Sequence, residues 1–149
     1  MSQCIFYVLD GLDEQQQLTF LCEHIASHWR DYRSVRVWCQ TQQLAEQLDQ
    51  ALWQHPADAF VPHNLVGEGP TQGAPVEICW QGVNASNRRT AVIVNLMSEM
   101  PPLNGANRII ERVPSDDEGR QLARERFKQY RSLGLNLSTI QAKDVQFSS

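Results

Sequence analysis

The feature that most restricts the fold is a strict alternation, over the first third of the chain, between two hydrophobic periods. Cys4 to Leu9 is a short run of apolar and aromatic residues ended by Asp10-Gly11, which reads as a buried strand and a turn. From Glu14 to about Asp31 the pattern changes. Leu18, Leu21, Cys22, Ile25 and Trp29 recur at helical spacing, so this segment is an amphipathic helix lying over the strand. Val35 to Cys39 is a second strand, and Thr41 can cap a following helix whose Leu44, Leu48, Leu52 and Trp53 fall along one side. Strand, helix, strand and helix in succession predict an α/β sandwich around a mostly parallel sheet.

Beyond Trp53 the chain is punctuated by Pro56, Pro62, Gly67, Gly69, Pro70 and Gly73, a long loop with room for one helical turn. Val76 to Trp80, Ala91 to Leu96 and Arg108 to Val113 read as further strands, which brings the sheet to about five. Gln81 to Thr90 is a polar loop, and the form of Met97 to Asn107 is left open. A chain of 149 residues with no repeat or linker fits one domain, expected over 1–137, with 138–149 as a C-terminal tail. No apolar run approaches the roughly 20 residues needed to cross a bilayer, and the N-terminus lacks the pattern of a signal peptide, so a cytoplasmic location is expected. Cys4, Cys22, Cys39 and Cys79 form no C-x-x-C pair and are read as reduced core residues.

The segment that bears on function is the last predicted helix, about Asp116 to Leu133. Ser115 to Glu118 has the form of a capping box, and Gly134 suits a left-handed residue just past the end. Arg120, Arg124, Lys128 and Arg131 follow one another by four, four and three positions and so share one stripe. Leu122, Ala123, Tyr130 and Leu133 are left to face the core. With Arg126, five basic residues stand against Glu125 alone between Arg120 and Leu133, on a chain whose net charge is -4. A positive stripe on an otherwise acidic protein attracts a short acidic ligand and repels a long polyanion at its edges. Phe127 borders the stripe, which suits a peptide ending in an apolar side chain and a free carboxylate. The alternative is a solvated face whose cations complement the helix dipole.

Several longer motifs point to a family. Ala51-Leu52-Trp53, Phe60-Val61-Pro62-His63-Asn64-Leu65, Gly67-Glu68-Gly69-Pro70, Gly73-Ala74-Pro75-Val76-Glu77-Ile78 and Gln121-Leu122-Ala123-Arg124-Glu125-Arg126-Phe127-Lys128 resemble the chi-subunit family of bacterial DNA polymerase III holoenzyme. The resemblance is collinear from Phe6-Tyr7-Val8-Leu9 to Asn136-Leu137, weakest over 97–107, and does not extend to the tail. It implies a Rossmann-like three-layer sandwich without polymerase activity of its own, a replication adaptor with no active site, cofactor or metal. The implied partners are the psi subunit of the clamp loader and the acidic C-terminal tail of single-stranded-DNA-binding protein, so that contact with DNA is mainly indirect. By position, the tail-binding residues of the family match Arg124 and Lys128, with Phe127 where the family has an aromatic ring. Arg120 and Arg131 join them on helical geometry alone. The family's psi surface corresponds to Trp53, Phe60, Val61, Pro62 and Leu65, a patch that a competing repair helicase could share. Read from the residues alone, that apolar loop either folds onto the core or presents a sticky patch.

Two rival classes find less support. A nucleotide-binding enzyme needs a phosphate cradle after the first strand, but Leu9-Asp10-Gly11-Leu12-Asp13-Glu14 has one glycine and three acids. A direct single-stranded nucleic-acid binder is at odds with the negative net charge. His24 and His28 share a helix face, yet no acid is placed to join them as metal ligands. They are read as boundary histidines, and His63 as a hydrogen-bonding partner of backbone.

Overall fold

A computed structural model describes residues 2–54, 62–66, 75–83, 89–103 and 105–145. Its elements are β1 (Gln3–Val8), α1 (Glu14–Tyr32), β2 (Val35–Cys39), α2 (Gln42–Gln54), β3 (His63–Leu65), β4 (Val76–Trp80), β5 (Val92–Asn95), β6 (Arg108–Val113), α3 (Asp117–Ser132) and β7 (Asn136–Gln141). A short 3-10 turn, Ala142–Asp144, follows. The strands form one sheet in the order β3-β4-β2-β5-β6-β1-β7, and every pairing among them is parallel.

A parallel sheet with helices on both sides needs strands that are apolar on both faces, and β2 meets that demand with all five residues buried. Side chains alternate between two cores. Ile5, Tyr7, Val35, Val37, Val92, Val94 and Ile110 meet Cys22, Ile25 and Ala26 of α1 and Leu48 and Leu52 of α2. Cys4, Phe6, Trp38, Cys79, Ile93 and Ile109 face the other way, toward Ala123 and Tyr130 of α3. The result is the expected three-layer, Rossmann-like sandwich. Met97 and Ala106, from the segment whose form was left open, belong to the second core, with Met100 and Leu103 packed against it.

The structure corrects the expectations at several points. The sheet has seven strands, not about five, because β3 lies within the supposed loop and β7 follows α3. β7 runs through position 137, where the domain was expected to end, and pairs with β1 from Asn136 to Gln141. The α3 cap is Asp116, whose carboxylate accepts from the Gly119 amide at 2.8 Å, and not Ser115. One residue's difference in register moves the box off Ser115 and Glu118. Leu133 was expected to face the core, but it caps the helix and is 59% exposed. Thr41 does cap α2, its hydroxyl accepting from the Leu44 amide at 3.2 Å.

Candidate functional site

The basic stripe is set by how α3 lies on the sheet. Ala123, Arg126 and Tyr130 are buried, so the helix turns that face inward and leaves Arg124, Lys128 and Arg131 exposed. Phe127 stands between the two faces. Its ring packs on Phe6 of β1 at 5.4 Å between centroids, tilted by 54°, and Phe6 in turn meets Tyr130 edge-on. Beside this stack α3, β1 and β7 enclose a groove with room for about 460 Å³. Phe6, Val8, Val113 and Phe127 give it an apolar lining, Thr139 belongs to its β7 side, and the cations of the stripe border it.

The cations are not equivalent. Arg120 is tied to Asp10, one of its terminal nitrogens donating to both carboxylate oxygens at 2.9 and 3.0 Å. The Arg120 guanidinium, and after it a hydrogen bond from Ser115, hold the Asp10 carboxyl below the usual carboxylate range. Arg126, counted with the stripe on charge alone, is 4% exposed and belongs to the core. It donates to Glu111 at 3.1 Å and to the Ser98 carbonyl at 2.8 Å. Among the described residues, no side-chain hydrogen bond or ion pair engages Arg124, Lys128 or Arg131. The exposed positive charge is therefore narrower than the stripe, and it adjoins the Phe127 end of the groove.

Beneath α3 lies a polar cluster that the sequence reading missed. Glu111, 1% exposed, accepts from Arg126, from the Tyr130 hydroxyl at 2.7 Å and from the Asn95 amide at 2.7 Å. Burial pushes its carboxyl up, opposed by the Arg126 charge and by the bonds from Tyr130 and Asn95. Tyr130 is pushed up as well, by burial and then by Glu111. A signal was available: an acid in the middle of Arg-Ile-Ile-Glu-Arg-Val needs a buried partner, and Arg126 falls between Ala123 and Tyr130 on the helix face that supplies one.

The second expected surface is divided. Trp53, at the end of α2, is 59% exposed and its ring lies 5.0 Å from that of His63. Pro62 is half-buried, whereas Leu65 is buried in the core shared with α1 and α2. Phe60 and Val61 lie outside the described residues. His63 plays the expected backbone-bonding role, its Nε2 lying 3.2 Å from the Asp49 carbonyl and 3.3 Å from the Asp49 carboxylate.

The rival sites take other forms. Asp13 caps α1, its carboxylate accepting from the Gln16 amide at 2.7 Å, so an internal anion already holds the position a phosphate would need. His24 and His28 are buried deeper than the boundary expected of them, at 4% and 6% exposure. Their rings lie 4.4 Å apart, tilted by 58°, and Arg108 donates to His28 Nε2 at 3.1 Å while His28 Nδ1 donates to the His24 carbonyl at 2.8 Å. Among the described residues, no three His, Cys, Asp or Glu side chains converge as metal ligands. All four cysteines are free and buried, and burial raises their thiols, to about 11 for Cys22 and about 12 for Cys39. No helix of the described residues is long and apolar enough to cross a membrane.

The family model of the DNA polymerase III chi subunit, HolC, matches residues 1–138. The chain belongs to the chi-subunit family. The DNA polymerase III subunit chi of Escherichia coli is 43% identical over 145 residues, covering 93% of this chain and 97% of the relative. That of Haemophilus influenzae is 41% identical over 135 residues, and that of Pseudomonas aeruginosa 31% over 138. These alignments cover 90% and 92% of this chain and 93% and 94% of the relatives. The match takes in α3, the groove and the Trp53 surface together.

Proposed function

We propose that this chain is a non-catalytic accessory subunit of the DNA polymerase III clamp loader, working in the cytoplasm. Its role is to join the psi subunit to the acidic C-terminal tail of single-stranded-DNA-binding protein. The observation that carries the reading is the groove. Three cations without partners among the described residues border an apolar cleft that ends at Phe127. A peptide with several carboxylates and one terminal aromatic group complements both features, since bidentate arginine contacts hold carboxylates and the cleft takes the ring. A long polyanion would find few cations beyond Arg131 and would meet a chain of net charge -4. Contact with DNA is then mainly through the partner protein.

Trp53, together with Phe60, Val61 and Pro62, is assigned to psi, while the buried Leu65 supports that surface from the core, and a repair helicase using the same patch would exclude psi. Trp53 supports this reading because so large an exposed ring is a typical anchor of an interface.

The test is a calorimetric titration with a short Asp-rich peptide ending in Phe. Arg124→Ala should weaken binding about tenfold, the loss expected of one charge-assisted contact. The melting temperature should stay unchanged. Wild-type affinity in the variant would sink the assignment of the groove. Tight binding of the unmodified chain to naked single-stranded DNA at physiological salt would favour the direct nucleic-acid reading instead.

A further inference from the structure

The groove holds an acid as well as its cations. Asp10 follows β1 and faces the same cleft, and its carboxylate stands on Arg120 at 2.9 and 3.0 Å. Arg120 lies one helical turn before Arg124, the next cation of the row. An acidic ligand that extends along α3 therefore meets a cation already engaged, and beside it a negative charge of the chain's own.

We propose that Asp10 is an internal competitor for the acidic ligand: it occupies Arg120 as a ligand carboxylate would, and so confines the ligand to the Arg124 to Arg131 end of the groove. This rests on the reading of the groove as an acidic-peptide site. Both members are half-exposed, with side-chain exposures of 42% for Arg120 and 45% for Asp10. Exposed pairs of this kind are weak and are exchanged readily for another partner of the same charge. Asp10 takes one terminal nitrogen of Arg120 with both of its oxygens and neutralises the guanidinium, so removing the acid restores to a ligand both that donor and the uncompensated charge. The apolar end of the groove, at Phe6 and Phe127, is untouched by the exchange. Asp10 thus acts on where the carboxylates of a ligand lie and how tightly they are held.

The experiment titrates the short Asp-rich peptide ending in Phe into the wild-type chain, Asp10→Asn, Arg120→Ala and the double variant. Asp10→Asn should bind about threefold more tightly, the scale of one exposed charge pair. Arg120→Ala alone should bind no more tightly than the wild type, because it removes a cation that Asp10 already engages and leaves that carboxylate in the groove. In the double variant most of the gain should vanish, since the released Arg120 is what provides it. Unchanged or weaker binding by Asp10→Asn overturns the proposal. So does a gain that persists undiminished in the double variant, which would mean that Asp10 acts by repulsion alone. Wild-type binding separates this failure from that of the groove itself, and absence of binding by every variant overturns both.

Discussion

Arg124 and Arg126 stand two positions apart on one helix and have opposite fates. Arg126 turns inward to Glu111, in a site where removing one partner leaves a buried charge uncompensated. Arg126→Ala should lower unfolding free energy by about 3–5 kcal/mol in urea denaturation, while Arg131→Ala, an exposed position, should change it by less than about 0.5 kcal/mol. The composition of α3 showed five bases, but only the phase of Ala123 and Tyr130 tells which of them the core takes. His24 carries a second consequence. Burial, and then the charges of His28 and Arg108, lower its pKa from 6.5 to about 3, so the native state keeps it neutral where the unfolded chain would protonate it. Stability is therefore full above pH 6.5 and falls as the pH drops from there toward 3. Between pH 7 and 5 the loss should be about 2 kcal/mol from this residue. Thermal melts across that range should show a shallower decline for His24→Phe than for the wild type.

At the scale of elements, the central strands and all three helices were legible because burial writes itself into their residues. β2, β4 and β6 have the bounds that the apolar runs predict. The two strands that were missed, β3 and β7, are the edges of the sheet. An edge strand pairs through its backbone on one side only, and β7, with five of its six residues exposed, has little need of apolar side chains. Three residues of β3 set among prolines and glycines give no period at all. The same limit applies to the start of α3, where two acids and a serine compete for one position. Asp116→Ala should destabilise the fold by about 1 kcal/mol and Ser115→Ala by much less in chemical denaturation. The reverse order would restore Ser115 as the cap. The Asp10 to Arg120 pair was illegible for another reason: it joins residues 110 positions apart, brought together by a strand end and a helix that no local pattern relates.

At the scale of the molecule, the two candidate surfaces lie at opposite edges of the sheet. Trp53 sits beside β3 and the groove beside β7, with five strands between those two edges. At the spacing of neighbouring strands this is a separation of roughly 29 Å. Sites so far apart with no shared residue behave independently. Trp53→Ala should weaken association with psi at least tenfold and leave the affinity for the acidic peptide within about twofold of wild type, both read by calorimetry. Loss of both together would indicate misfolding. In the proposed adaptor role, this layout would let each partner be held while the other arrives.

The pairing of β1 with β6 and β7 also governs how the chain is made. Gln3 finds its partners at Arg108 and Asn136, so β1 waits on the ribosome for more than a hundred residues before either neighbour exists. At bacterial rates of about 20 residues per second that wait is several seconds. For that interval the nascent chain presents Cys4 to Val8, a strand built to be covered on both faces, with unsatisfied edges on both sides. The sheet can thus close around β1 only once β7 has followed α3 out of the ribosome, so this edge of the fold should form late.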